Sequence, residues 1–174
     1  MSTTASIFTQ QYQTAHGSLL LGAYDNTLCL CDWLARPNRA RIDQRIQRYL
    51  QASYKPQACE ATDAAIEQLN AYFGQKTPSL ERPLLILGSD FQRAVWRQLQ
   101  QIPYGSTISY RQLAEQINKP SAARAVANAN NANAMSIFIP CHRVIGSDGA
   151  LSGYAGGLAT KRSLLELEQV IAPN

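Results

Sequence analysis

Ser109-Tyr110-Arg111-Gln112-Leu113-Ala114-Glu115-Gln116-Ile117, then Asn118-Lys119-Pro120, then Ser121-Ala122-Ala123-Arg124-Ala125-Val126-Ala127, decides the fold of the second half of the chain. Ser109 and Ser121 stand where helix N-caps are wanted, because a serine hydroxyl accepts a hydrogen bond from an unpaired backbone N–H of the first turn. Asn118-Lys119-Pro120 turns the chain, since proline cannot continue a helix. The spacing predicts two short helices about a turn, a helix-turn-helix pattern. The second helix has little bulk on any face and an arginine in its first turn. Such a helix can lie close to a DNA backbone or groove. On pattern alone, close packing between two helices is the better account.

Upstream, Asp90 is a candidate N-cap for a helix over residues 91–101 that buries Val95, Trp96 and Leu99. Pro103-Tyr104-Gly105 stops it. Downstream, the asparagines of residues 128–133 favour turns and predict a fraying helix end. Ser136-Ile137-Phe138-Ile139 reads as a short buried extended segment, and Gly146-Ser147-Asp148-Gly149 as a turn. Thr160 opens a last helix carrying Leu164, Leu165 and Leu167, with Glu166 and Glu168 near its end.

The first half reads differently. Residues 18–24 and 27–34 are apolar runs flanking Asp25-Asn26, a hairpin signal. Residues 39–51 carry Ile42, Ile46 and Leu50 at helical spacing, with arginines on what reads as a solvated face. Residues 61–73 are a second helix, ended by Gly74. Residues 75–83, with Lys76, Pro78, Glu81 and Pro83, read as a linker. The expected domains are therefore residues 1–83, of structural role, and 84–174.

The chain has 174 residues, 45% of them hydrophobic, enough for one good-sized domain or two small ones. A net charge of +4 is compatible with a polyanionic partner and does not demand one. No run approaches roughly 20 uninterrupted apolar residues, so no membrane span is expected. The N-terminus lacks the basic and apolar regions of a secretory signal, which points to a cytoplasmic protein. Four cysteines (Cys29, Cys31, Cys59, Cys141) are too few for a disulfide scaffold. Cys29-x-Cys31 is too tight for a zinc knuckle, and only His16 and His142 could add ligands, so neither a metal nor another cofactor is expected.

Ile139-Pro140-Cys141-His142-Arg143-Val144-Ile145 carries the chemistry. A thiolate is the nucleophile of cysteine chemistry, and a thiol titrating near ~8.5 needs a histidine, a cation or a helix N-terminus to form one. Here a histidine and an arginine follow directly. Cysteine, histidine and a carboxylate make the usual activated-thiol set. Glu168, Glu166 and Asp148 are the candidate carboxylates. Neighbours in a strand point to opposite faces, so Cys141 and His142 cooperate only if the chain turns at Pro140 or a water bridges them. The loop Gly153-Tyr154-Ala155-Gly156-Gly157 lacks the spacing of a phosphate-binding motif.

Pro140-Cys141-His142-Arg143-Val144 resembles the signature of the O6-alkylguanine-DNA alkyltransferases. Phe91-Gln92-Arg93-Ala94-Val95-Trp96, Ile108-Ser109-Tyr110, Ala123-Arg124-Ala125-Val126, Asn133 and Tyr154-Ala155-Gly156-Gly157-Leu158 follow that family's order and spacing. The resemblance covers residues 84–168. It implies an α+β fold: an N-terminal α/β domain with a small β-sheet, and a mostly helical C-terminal domain with the helix-turn-helix and the site. It implies DNA repair by stoichiometric transfer of an alkyl group from O6-alkylguanine to Cys141, which inactivates the protein. His142, through a water, and Glu168 would deprotonate the thiol. Tyr110 would donate a proton toward the departing guanine, and Asn133 would brace the turn before the site. Leu151, Tyr154, Ala155 and Gly156 would line the base pocket. The partner would be double-stranded DNA, bound by a monomer through the minor groove with the lesion flipped out. Arg124 would fill the vacated stack, Ala122, Ala123 and Ala125 would allow close approach, and Arg111 and Lys119 would contact phosphates.

Three positions depart from the family pattern. Ala127-Asn128-Ala129 stands where Gly-x-Ala is usual, Ala134 where proline follows the asparagine, and Ala155 where serine is common. Ala134 is expected to loosen the turn that Asn133 braces. Rival readings are a lesion binder without alkyl transfer, a cysteine hydrolase or redox enzyme, and a transcription factor. The first is opposed by Cys141, the second by Arg124 and the helix pair, the third by a helix with few base-reading side chains.

Overall fold

The computed structural model describes residues 4–76 and 79–172. Asp25 and Asn26 both take left-handed backbone, with φ of 47° and 54°. A two-residue type I′ hairpin turn requires that pair of dihedrals, and Asn and Asp tolerate them. The turn joins β2 (Gly17–Tyr24) to β3 (Thr27–Trp33), as the Asx pair predicts. The sheet has four strands in the order β3-β2-β1-β4. β1 (Ala5–Thr14) runs antiparallel to β2 and parallel to β4 (Ala52–Pro56). Neither β1 nor β4 was legible as a run of apolar residues. Along β1 only Ile7 and Thr9 are buried, so its alternation is mostly polar.

α1 (Arg39–Leu50) buries Ile42 and Ile46, the stripe its spacing predicts. α2 (Glu60–Phe73) lies on β1, β2 and β3 and buries Ala65, Leu69 and Tyr72. With Ile7, Leu19, Leu21, Leu28 and Leu30, these residues form the core of the N-terminal half. Each large apolar side chain there contributes about 1.5–3 kcal/mol.

The chain divides into two units, Met1–Leu87 and Gly88–Asn174. Residues 77 and 78 of the expected linker lie outside the described residues. The rest of it is strapped to α2: Gln68 Nε2 donates to the Ser79 carbonyl (3.0 Å), and Arg82 Nη1 to Gln68 Oε1 (3.0 Å). Leu84, expected to begin the second domain, bridges Leu28, and the Leu85 N–H donates to the Leu28 carbonyl at 2.9 Å. Those bonds pair the outer edge of β3, so the first unit extends to Leu87.

The second unit is mostly helical, with α3 (Asp90–Leu99), α4 (Tyr110–Gln116), α5 (Ala123–Asn131) and α6 (Leu158–Leu167). α5 packs on α3 and α4. A two-stranded parallel ladder pairs β5 (Ile108–Ser109) with β6 (Val144–Ile145). Ser109 caps α4 as expected, in a capping box with Gln112.

Several expected boundaries move. Ser89, not Asp90, caps α3: its hydroxyl accepts from the Gln92 N–H while Gln92 Oε1 accepts from the Ser89 N–H. A serine three residues before a glutamine satisfies two donors, which Asp90 does not. α5 is capped by Ala122, not Ser121, and it runs on to Asn131 instead of fraying at Asn128. α6 begins at Leu158 after Gly157 (φ 87°), not at Thr160. The segment 136–139 is not extended but a buried turn, with Ile137 in left-handed backbone at φ 75°. A β-branched residue reaches that region only when its surroundings impose it. Among the described residues, no helix is long and apolar enough to cross a membrane.

Candidate active site

Cys141, His142 and Arg143 form one turn of 3-10 helix directly after Pro140. The chain therefore turns where the sequence requires it to, and successive side chains fan around an axis instead of alternating across a strand. All three are buried.

Asparagines fix the backbone of this turn. Asn133 Nδ2 donates to the Ile139 carbonyl at 2.9 Å, and its Oδ1 accepts from the Met135 N–H at 3.0 Å. The Cys141 N–H donates to the same Ile139 carbonyl at 2.8 Å. Asn130 Nδ2 donates to the carbonyl of Cys141 itself at 3.3 Å. Asn133 closes this turn, and the Ala134 that follows it is buried. Asn130 escaped the sequence reading. Asn130 and Asn133 are three residues apart, and that spacing within the asparagine run is the signal that could have found it.

Of the three candidate carboxylates, Glu168 reaches the turn. His142 Nε2 lies 2.8 Å from Glu168 Oε1. Arg143 grips the same carboxylate from both sides, Nε to Oε2 and Nη2 to Oε1, each 2.9 Å, and its Nη1 donates to the Ile102 carbonyl at 2.7 Å. Burial would raise the Glu168 carboxyl, but the hydrogen bonds from His142 and Arg143 outweigh it and hold the group at about 2. Burial lowers the His142 imidazole, with Arg143 and Lys161 adding to the effect, although Glu168 opposes it. The histidine is therefore neutral at neutral pH. A carboxylate only accepts, so its partner nitrogen Nε2 carries the proton and Nδ1 keeps the lone pair. Nδ1 is buried and has no hydrogen-bond partner among the described residues. The edge of the Tyr154 ring closes on the imidazole, with centroids 6.4 Å apart. Asp148 accepts from the Ala150 N–H within its own loop.

The β5–β6 ladder brings the start of α4 beside the cysteine turn, because Ser109 pairs with Ile145. Tyr110, the next residue, donates its hydroxyl proton to the Ser152 carbonyl at 3.0 Å. Burial raises the Tyr110 phenol, so it stays protonated. Leu151, Tyr154, Ala155 and Gly156 are half-buried along the loop. Gly153 (φ 52°) lies so close to α5 that an added Cβ would stand 3.1 Å from the Asn131 side chain. Lys161 was also missed: it is fully buried and donates to the carbonyls of Val144 (2.6 Å) and Ser152 (2.9 Å). A lysine on an otherwise ordinary amphipathic helix carries no sequence signal of that burial.

The expected DNA-contacting residues are at the surface. On α5, Arg124 and Ala125 are exposed and Ala122 and Ala123 half-buried, while Val126, Ala129 and Asn130 face the interior. Arg111 and Lys119 are exposed, and Arg111 Nε contacts Glu115 Oε1 at 3.2 Å. Among the described residues, no three His, Cys, Asp or Glu side chains gather as metal ligands would.

Residues 90–170 match the family model of the 6-O-methylguanine DNA methyltransferase DNA-binding domain. A methylated-DNA–protein-cysteine methyltransferase of Mycobacterium tuberculosis is 47% identical over 132 residues, covering 72% of this chain and 80% of that protein. The crystal structure of the M. tuberculosis O6-methylguanine methyltransferase superposes with a TM-score of 0.79 at 38% identity, over 96% of this chain and 95% of that one. The structure of M. tuberculosis OGT in complex with DNA gives a TM-score of 0.78 at 39% identity, over 94% and 92% of the two chains. With its cysteine held beside a histidine–carboxylate pair, this chain belongs to the methylated-DNA–protein-cysteine methyltransferases.

Proposed function

We propose that Cys141 is the alkyl acceptor and that His142 and Glu168 ionise it. The observation that carries this reading is the buried His142–Glu168 contact on the same turn as the cysteine. The Cys141 proton passes through a bridging water to His142 Nδ1, and Glu168 stabilises the imidazolium that forms. The thiolate attacks the alkyl carbon in line with guanine O6. The S–C bond forms as the C–O bond breaks, and the electron pair stays on guanine. The Tyr110 hydroxyl supports that charge by donating to the departing base. The proton lost from sulfur balances the one guanine gains. A thioether is no leaving group, so each molecule acts once.

The target atom lies inside the duplex, so the nucleotide must leave the stack. Arg124, which is exposed on α5, fills the gap from the minor groove, and the small Ala122, Ala123 and Ala125 let the helix approach closely. Arg111 and Lys119 contact phosphates, and Leu151, Tyr154, Ala155 and Gly156 line the base pocket. The second unit, from Gly88 onward, carries all of these roles and the first unit a structural one. The protein works as a monomer in the cytoplasm, where a reducing medium keeps the acceptor thiol available.

Intact mass after incubation with duplex DNA containing O6-methylguanine tests the reading. The protein should gain one methylene, and Cys141→Ala should gain nothing. Tight lesion binding with no gain would favour a non-repairing lesion binder.

A further inference from the structure

Lys161 is a buried charge beside the cysteine turn with no part in the proposed transfer steps. Its ammonium donates to two backbone carbonyls, Val144 at 2.6 Å and Ser152 at 2.9 Å. Val144 ends the cysteine turn, and Ser152 lies in the loop expected to line the base pocket. The Ser152 carbonyl also accepts the Tyr110 hydroxyl at 3.0 Å, and the ammonium lies 5.8 Å from the centroid of the Tyr110 ring. Lysine and tyrosine thus meet on one oxygen.

A carbonyl oxygen has two lone pairs and accepts both donors together. A phenol has one proton and serves one acceptor at a time. While Tyr110 donates to Ser152, it cannot donate to a departing base. If it turned away from a carbonyl that had no second donor, that oxygen would be left unsatisfied in a pocket whose water the base has displaced. With Lys161 in place the oxygen keeps a charge-assisted partner, and the hydroxyl is released at little cost.

We propose that Lys161 is a positioning residue of the transfer reaction: its buried ammonium holds the Ser152 carbonyl so that the Tyr110 hydroxyl can turn its proton from that carbonyl to the departing guanine. The assignment rests on the reading of Tyr110 as donor to the leaving base. Burial lowers the ammonium to about 8, so it stays largely charged at neutral pH.

Single-turnover transfer from O6-methylguanine duplex is compared for wild type, Lys161→Met, Tyr110→Phe and the double variant, each checked for folding by thermal melting. Lys161→Met should slow transfer roughly ten- to hundredfold, the scale of losing an effective donor to the leaving group. The double variant should be no slower than the slower single one, because both changes remove the same proton donation. Alkylation of Cys141 by iodoacetamide, whose iodide leaves without a proton, should change far less than transfer in Lys161→Met, because the lost charge then acts only through its electrostatic effect on His142 and the thiol. Multiplicative slowing in the double variant, or equal slowing with iodoacetamide, overturns the assignment while wild-type transfer still stands. Failure of wild type to gain a methyl overturns the transfer reading and this assignment with it. Should Lys161→Met not fold, Lys161→Gln carries the same comparison.

Discussion

Each unit buries a carboxylate gripped by arginine, and the two grips do different work. In the first, Asp32 receives Arg36 Nη1 on both oxygens, at 2.9 and 3.0 Å, and Arg39 Nη1 at 3.2 Å. Arg39 reaches on to Asp43, which also accepts from the Tyr54 hydroxyl at 2.7 Å. In the second, Glu168 receives Arg143 on one side and His142 on the other. Burial lifts the Asp32 carboxyl above its ordinary value despite both arginines, whereas Glu168 is held at about 2. The first cluster ties the end of β3 to α1 and contains no histidine. The second uses the same fork to orient a neutral histidine. A buried arginine–carboxylate pair does not announce chemistry; the proton carrier attached to it does. The cysteines repeat the lesson. Burial pushes Cys29 up to about 12 and Cys31 higher than its ordinary value, so both are inert packing. Cys141 is as buried, yet it sits beside the histidine.

The sharpest way to break the comparison is to neutralise each carboxylate in turn. Glu168→Gln should slow transfer by roughly a thousandfold, because the amide no longer fixes the imidazole or balances its charge. Asp32→Asn should leave transfer per folded molecule within about twofold, yet destabilise the protein by about 3 kcal/mol through stranded buried arginines. Single-turnover kinetics and denaturant unfolding measure the two effects. Equal losses of transfer would mean that both clusters serve the site.

Acid should separate the clusters next. Glu168 ionises near 4.5 when unfolded and at about 2 when folded. Its contribution, about 3 kcal/mol, is complete above pH 4.5 and disappears as the pH falls toward 2. His142 is held below its ordinary 6.5, so stability begins to fall as the pH drops below 6.5 and the unfolded chain takes up that proton. His142→Gln should flatten the upper part of this acid limb, as read by urea unfolding from pH 7 to 4.

Arg124→Ala should slow transfer from duplex by roughly tenfold or more while leaving the free base unaffected, because only the duplex has a stack to refill. Equal slowing on both substrates would remove Arg124 from that role. Smallest of all, Cys29→Ala should leave the methyl gain intact and cost under about 2 kcal/mol, as a small buried residue does on truncation.

Much of the architecture was legible because local chemistry and final structure agree. The Asp25-Asn26 turn, the Ile42–Ile46 stripe and the Ser109 cap each rest on neighbours in sequence. β1 stayed hidden because its Gln and Thr residues give no apolar run, although pairing on both sides makes it an inner strand. The persistence of α5 through Asn128 was also hidden: Asn130, a poor helix former, is held by its bond to the Cys141 carbonyl.

At the site, chemical type and order by themselves offered a nucleophile and a base in Cys141 and His142, whereas Tyr110 as donor is what the family resemblance implies. Residue type left Glu168, Glu166 and Asp148 open and the resemblance pointed to Glu168; the tertiary structure is what brings Glu168 onto His142. It also decided that Arg143 fixes that carboxylate and that Lys161 lies beneath the loop. Those choices depend on which groups share a water-excluded volume. Local sequence does not encode that neighbourhood, because residues 26 positions apart, like His142 and Glu168, meet only when the whole core closes around them.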